Sequence, residues 1–542
     1  MDKRTVRRAQ RQALLAAIAR REWLLQMLAV AATGCVRRDD PARSRASTLI
    51  MAVDSIDAVR PDWTDADFLV FSPLVERDER GDFVPRLAER WEHSGDYREW
   101  TYHLRRDVRW HDGVPVTAHD VKFSLDLVTQ QGYRFDAVTV LDDFTVKVRV
   151  PPGYQGPSYQ DDIVYYPKHL LEGFDPKKFE DWDFWTRPVG NGPFRFVRYQ
   201  AGTMIEYEAN PDYYLGKPKV ERVVLKFVGP AEGSAGLTEL LSGNVDVVLA
   251  GNPSQIPRVL EDPRFRVYYS AVTASGPAIV WKHDHPLFRG ARVRRTLTLA
   301  IDRRELRQLL NLPADLPFGD GVYTYQQVLK GEVPDLLPHD PAEAQALLEA
   351  AGWHDHDGDG IRERDGRSFR FTAILSSGRD LPRLAVYIQA QLRRVRIQMD
   401  IQVMDRSVVE SQRIGVGDFE AAFIQLYRPQ DQKKFFGRGN PTGYANVEAF
   451  RLIDSIETGQ DPDEVDRLYH ELSDVYRADL PVTRLAPNVW VSFAHRRVQG
   501  LRTPFHANPD RYMEDLWLDD RDGPKSNIGR RVLPASAWRT YG

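Results

Sequence analysis

The run Trp100-Thr101-Tyr102-His103-Leu104-Arg105-Arg106-Asp107-Val108-Arg109-Trp110-His111-Asp112-Gly113-Val114-Pro115-Val116-Thr117-Ala118-His119-Asp120-Val121-Lys122-Phe123 decides the fold class of this chain. Trp100 to Leu104 alternates in the period-two pattern of a half-buried strand, whose successive side chains face opposite ways. Trp110 to Gly113 reads as a strand ending in a turn, with Gly113 supplying a permissive φ and Asp112 bonding nearby backbone. From Thr117 the pattern becomes that of a capped helix. The Thr117 hydroxyl is expected to accept from the orphan amides of the first turn, and Asp120 suits the positive end of the helix dipole.

The same interleaving continues outward. Thr48 to Val53 is a strand-like apolar run, Asp65 to Ser72 a short helix stopped at Pro73, and Thr145 to Val150 another alternating strand. Val293 to Leu310, Pro341 to Ala351 and Leu384 to Val395 have helical periodicity, and Ile397 to Val403 alternates. The class is therefore α/β. At 542 residues the chain exceeds one ordinary core, so two or three lobes are expected. Hydrophobic and charged fractions of 42% and 28% are those of a globular protein, as are 12 Trp, 22 Tyr and 24 Phe. A formal charge of -4 gives no global attraction for nucleic acid, so no nucleic-acid partner is expected.

A single cysteine, Cys35, excludes an intrachain disulfide framework and any multi-cysteine metal site. Before it come Lys3, Arg4, Arg7, Arg8, Arg11, Arg20 and Arg21, then an apolar run from Trp23 to Gly34. That is the layout of an export signal, too short to span a bilayer comfortably, since a spanning helix takes about 20 apolar residues. The small residues ending in Gly34-Cys35 resemble a bacterial lipobox, which implies acylation of Cys35. The alternative is a small apolar residue inside the signal helix. Arg20-Arg21-Glu22-Trp23-Leu24-Leu25 is similar to a twin-arginine motif, so both export routes stay open. Residues 1–35 are read as signal and 36–47 as tether.

No Gly-x-Ser-x-Gly elbow, His-Glu-x-x-His pair or phosphate-binding loop occurs, so no catalytic residue is assigned and a hydrolase is disfavoured. His111 lacks a partner motif. Asp355, Asp357 and Asp359 start like a calcium loop, but position twelve is Gly366 rather than a closing Glu. An acidic surface turn before the strand Phe369 to Thr372 is expected, a weak calcium site being the alternative. No metal or cofactor is assigned.

Several blocks identify a family by resemblance. Pro85 to Glu92, the opening run, Gly190-Asn191-Gly192-Pro193-Phe194, Asn210-Pro211-Asp212-Tyr213-Tyr214, Val293 to Arg303, Asp340 to Trp353 and Gly443-Tyr444-Ala445-Asn446 occur in the order found in family 5 extracellular solute-binding proteins, the peptide and nickel receptors of ABC importers. The resemblance implies a two-lobed class II binding-protein fold with an extra N-terminal subdomain. Lobe I would comprise 48–72, 186–272 and 488–525, its extra subdomain 73–185, lobe II 273–487, and a tail 526–542. It further implies a monomer, lipid-anchored in the periplasm or on the outer face of the cytoplasmic membrane, that delivers a small molecule or oligopeptide to permease subunits. A signalling receptor or peptide-binding chaperone on the same fold is the alternative.

The resemblance also brings candidate ligand contacts. Asn191 lies in a loop matching the family's hinge region, as a ligand-facing group or a plain turn. Trp281 ends an apolar strand, as a flat wall for a ligand or a core side chain. Tyr323 lies on a segment that approaches the cleft. In peptide-binding members an Asp after a buried strand holds the ligand's amine; here Pro429 stands at that position, between Arg428 and Asp431, and Tyr427 precedes them. Arg428 is expected either to clamp a carboxylate, with Tyr427 beside it, or to stand solvated on its loop.

Overall fold

The computed structural model describes residues 46–53, 67–78, 82–130, 134–153, 163–229, 234–272, 276–313, 316–333, 335–377, 380–426, 431–501, 513–519 and 538–541. Cys35, Tyr427 and Arg428 lie outside the described residues. Thr48–Val53, a nearly unbroken apolar run, is the centre of a sheet of eight described strands. It pairs in parallel with Arg222–Phe227 and Val247–Val248. A continuous apolar strand needs cover on both faces, and both are covered. Leu49, Met51 and Val53 enter one core, while Ala52 faces a second with Leu240, Val259 and Phe493. Burying such side chains contributes about 1.5–3 kcal/mol each.

A second sheet runs in the order Gln398–Met404, Arg370–Ser376, Ala421–Leu426, Gly276–Trp281, Val482–Arg484. Its first three strands are parallel and the last two antiparallel additions. Alternation along Gly276–Trp281 sends Ile279 and Trp281 into one core and Ala278 and Val280 into the other. The chain is thus a two-lobed α/β protein, each sheet a middle layer between two apolar layers. A third sheet of Ala88–His93, Glu99–Leu104, Thr145–Arg149 and Ala137–Asp142 shares the core of the large sheet through Trp100, Tyr102, Val146 and Val148.

Two local expectations change. Ala118–Gln130 is helical, but its cap works in reverse: the Thr117 backbone amide (2.8 Å) and hydroxyl (3.1 Å) both donate to Asp120 Oδ2. Asp120 is buried and also accepts from the Lys168 amide, so its carboxylate ties two elements instead of only complementing a dipole. The helix expected over Val293 to Leu310 is two, Ala291–Leu299 and Arg303–Leu309. Asp302 divides them by accepting from the amides of Arg304 and Glu305, each at 3.0 Å, which starts a new helix inside an apolar period.

The sheets are joined by two neighbouring chain crossings. Val272 pairs with Asn488 at the end of the large sheet, and Ala278 pairs with Arg484 at the start of the small one. Between them the Leu485 amide donates to Pro277 O at 2.9 Å. Gly276 has φ +149° and rests on the Ala486 carbonyl, so that a Cβ there would overlap its oxygen and come 3.1 Å from the Asn488 nitrogen. Backbone conformation and space both demand glycine. Gly276→Ala is expected to lower stability by about 1–3 kcal/mol, measured by urea unfolding, and an unchanged midpoint would show that the crossing tolerates a side chain.

Candidate functional site

Register decides which edges of the sheets face the crossings. In the large sheet Val247 and Val248 pair with Ala494 and Phe493, so chain direction along the parallel strands leads toward Asn488. The carboxyl ends Val53, Phe227 and Val248 therefore share an edge with Val272 and Asn488. In the small sheet Gly276 pairs with Leu426, and Ser376 with Met404, so the carboxyl ends of three parallel strands share an edge with Gly276 and Arg484. Each sheet turns its carboxyl edge toward the crossings. Open α/β sheets bind ligands outside the carboxyl ends of their strands.

Beside this edge lies an aromatic and cationic cluster. Arg484 is buried, its guanidinium 4.9 Å from the Tyr323 ring centroid and 5.3 Å from that of Phe318, and Nη1 donates to Gly321 O at 3.0 Å. Tyr323 has no exposure, and its hydroxyl accepts from the Gly319 amide at 3.3 Å. A cation held over two rings is stabilised by their negative faces, which offsets part of its desolvation. Nearby, Arg303 and Asp320 form a fully buried ion pair, whose carboxylate also accepts from the Leu337 amide at 2.7 Å. This anchors the loop that carries Phe318 to Tyr323. Neither Arg484 nor Asp320 carried a signal of its own in sequence.

Trp281 is a core side chain. It is fully enclosed, donates from Nε1 to Thr483 Oγ1 at 3.1 Å, and packs against Phe288 and Phe371 with centroids 5.1 and 6.0 Å away. The strand's alternation turns it into the lobe, so the flat-wall reading gives way to packing. Asn191 is also buried, and its Oδ1 accepts from the Ser72 amide at 2.8 Å. It precedes Phe194–Gln200, whose start aligns through Glu208 and Arg222 with Thr48. That is the amino edge of the large sheet, opposite the crossings, and its contact there is to the chain itself.

His111 explains why that loop is so tightly written. Its Nδ1 accepts from the Gly190 amide at 3.2 Å and its Nε2 lies 3.1 Å from Gly192 O, an arrangement that selects the neutral Nε2–H tautomer. Burial holds its pKa down to about 4. A Cβ at Gly192 would meet the Val70 carbonyl carbon at 2.6 Å, so both glycines serve close backbone approach. His283 is likewise held down to about 3 by burial and by Arg294, and its Nε2 faces Pro481 O at 3.0 Å. Both imidazoles are neutral braces at pH 7 and poor general acids.

Two features lie elsewhere in the small-sheet lobe. Asp355, Asp357, Asp359 and Glu363 bring one carboxylate oxygen each within 4.8 Å of one another. Counted from Asp355, Glu363 stands at position nine, not at the position twelve where a closing carboxylate was expected. Chain amides satisfy much of the group: Gly358 to Asp355, Asp359 to Asp357, Ile361 to Asp359 and His356 to Glu363, while Arg396 pairs with Asp355 at 3.0 Å. A cavity of about 270 Å³ is lined by Pro286, Leu287, Trp353, Arg364, Asp365 and Arg367, and includes no predicted contact.

Comparison with known proteins agrees with this fold. The oligopeptide-binding protein AppA of Bacillus subtilis is 26% identical over 487 residues, covering 84% of this chain and 87% of its own. Protein XP55 of Streptomyces lividans is 26% identical over 451 residues, covering 77% and 78%. Among solved structures, NikA of Brucella suis in complex with Fe(III)-EDTA superposes with TM-score 0.73 at 19% identity, covering 87% of this chain and all (100%) of the other. NikZ of Campylobacter jejuni in complex with Ni(L-His) gives 0.67 at 24%, covering 87% and 99%, and AppA of B. subtilis in complex with a nonapeptide 0.62 at 23%, also covering 87% and 99%. These likenesses concern the fold. Residues 82–437 match the middle region of the bacterial extracellular solute-binding proteins, family 5, and the chain belongs to that family.

Proposed function

We propose that this protein is the extracytoplasmic solute-binding component of an ABC importer, which encloses a peptide-like ligand or small organic anion between two lobes and delivers it to the permease. The observation that carries this reading is the aiming of both carboxyl edges at paired crossings. A molecule touching both edges stabilises the closed state by its differential affinity for closed over open. The lobes are taken as 48–72 with 186–272 and 488–525 against 273–487, with 73–185 as an extra subdomain. A relative named for oligopeptide binding, AppA of Bacillus subtilis, which is solved with a nonapeptide, supports the ligand class. The neutral, braced histidines fit capture rather than conversion.

Charge preference is assigned to the loop after Ala421–Leu426, where Arg428 precedes Pro429. In this reading the Arg428 guanidinium forms a bidentate clamp on a carboxylate and its sequence neighbour Tyr427 adds an aromatic contact. Arg428→Ala is expected to weaken binding of a tri- to pentapeptide mixture by about 2–5 kcal/mol. Amidating the peptides' C-termini should cost as much in the wild type and nothing further in the variant. Calorimetry that finds wild-type affinity, or independent losses, would remove the clamp.

Retention at the membrane is assigned to acylation of Cys35, which makes the protein lipid-anchored on the outer face of the cytoplasmic membrane or in the periplasm; it is taken to act as a monomer. Among the described residues no helix is long and apolar enough to cross a membrane. An acyl chain contributes about 0.8 kcal/mol per buried CH₂. Cys35→Ser is expected to move the protein from the membrane to the soluble fraction or to leave its precursor uncut, as read by fractionation and intact mass. Normal processing with unchanged retention would exclude the anchor.

A further inference from the structure

Away from the crossings the two lobes meet again. Pro151-Pro152-Gly153 follows the strand Thr145–Arg149 of the four-stranded sheet and lies against the end of the helix Val447–Thr458, whose Ala449, Leu452 and Ile453 belong to a core of the small-sheet lobe. Gln460 Nε2 donates to Pro151 O at 3.4 Å. Gly153, with φ +84°, sits so close to the Glu457 carbonyl that a Cβ would overlap its oxygen and lie 2.8 Å from its carbon. That carbonyl belongs to the last helical turn, where main-chain oxygens lack intrahelical donors. Any side chain at position 153 would be opposed by its own backbone conformation and by the facing helix.

The helix end is in turn tied toward the ligand edge. The Glu457 carboxylate is bonded to Lys433 Nζ, on the helix Asp431–Phe436. That helix follows Ala421–Leu426, the strand whose carboxyl end faces the crossings. The helix Asp431–Phe436, which follows Ala421–Leu426 in sequence, is thus tied through the Lys433–Glu457 pair to the helix end on which Gly153 docks.

We propose that Gly153 on the carbonyl end of Val447–Thr458 is a closure latch: a second interlobe contact, with Gln460 as its polar clasp, which holds the closed state and is coupled to ligand through Lys433 and Glu457. This rests on the reading that the lobes close around a ligand. The latch forms without a side chain because only bare backbone approaches the helix end closely enough. A bulkier residue acts as a doorstop, leaving each lobe folded and the closed state short of contact.

The test uses the full chain with Cys35→Ser, and spin labels at Leu141→Cys and Val447→Cys, which are 53% and 77% exposed on the two sides. Pulsed electron–electron resonance gives the label separation, without ligand and with a tri- to pentapeptide mixture. Gly153→Val is expected to shift the separation to longer distances and lower peptide affinity at least tenfold, with a wild-type melting temperature. Gln460→Ala should do the same more weakly, and Gly95→Ala, with open space around it, should do nothing. Wild-type separations and affinity in Gly153→Val would overturn the latch while leaving peptide capture intact. If Gly153→Val melts early, unaltered separations in Gln460→Ala overturn it instead. A wild type that ignores peptides but lengthens on Gly153→Val retains the latch and loses the peptide reading.

Discussion

The proposed ligand capture depends on two chain segments that cross side by side, paired through their described residues on either side of the crossing. The Val272–Asn488 pair ends one sheet, the Ala278–Arg484 pair begins the next, and the Leu485 amide bridges to Pro277 between them. A ribbon of this kind bends while its backbone bonds persist, and each bond retained saves about 0.5–1.5 kcal/mol that a separating hinge would lose. Gly276 makes the close pairing possible, because its backbone conformation and its contact with Ala486 O both leave no room for a Cβ. From the crossings follows the aiming of both carboxyl edges, where the proposed ligand is placed.

Elements set by local periodicity were legible in the sequence. Thr48–Val53 is apolar on both faces because it is buried on both, and Glu99–Leu104 alternates because one face is half exposed. The break at Asp302 was not legible, since an N-cap side chain inside an apolar period leaves the period unchanged. Thr117 and Asp120 were the right residues with their roles reversed, for a buried carboxylate with three donors is worth more than a hydroxyl accepting from one amide. The demand on Gly276 comes from a segment about two hundred residues away in sequence, which no local pattern carries. Glu363 escaped because a motif position, rather than reach across a turn, was used to find it.

The family blocks in the sequence mark scaffold. Tyr444 and Asn446 both donate to Asp479 Oδ2, at 2.9 and 2.7 Å, and fix the end of the helix Pro462–Asp479. Arg294 caps the same helix end by donating to the carbonyl oxygens of Asp479 and Leu480, where a cation also complements the dipole. Burial lowers the pKa of Arg294, with Asp479 opposing that shift. His111, Asn191 and the glycines beside it brace the amino edge of the other lobe. These blocks thus brace the two lobes from within, while the proposed ligand contacts belong to the segments that leave the carboxyl edges.

Hydrogen–deuterium exchange of the wild-type protein with and without a tri- to pentapeptide mixture tests the central claim most directly. Capture between the facing edges predicts slower exchange in the segments that leave those edges, 249–252, 405–407 and 427–436, and in the crossing 485–488. No change is predicted around the outer cavity and acidic turn, 353–367. Protection concentrated at 353–367, or confined to the loop 190–193 on the amino edge, would contradict the account.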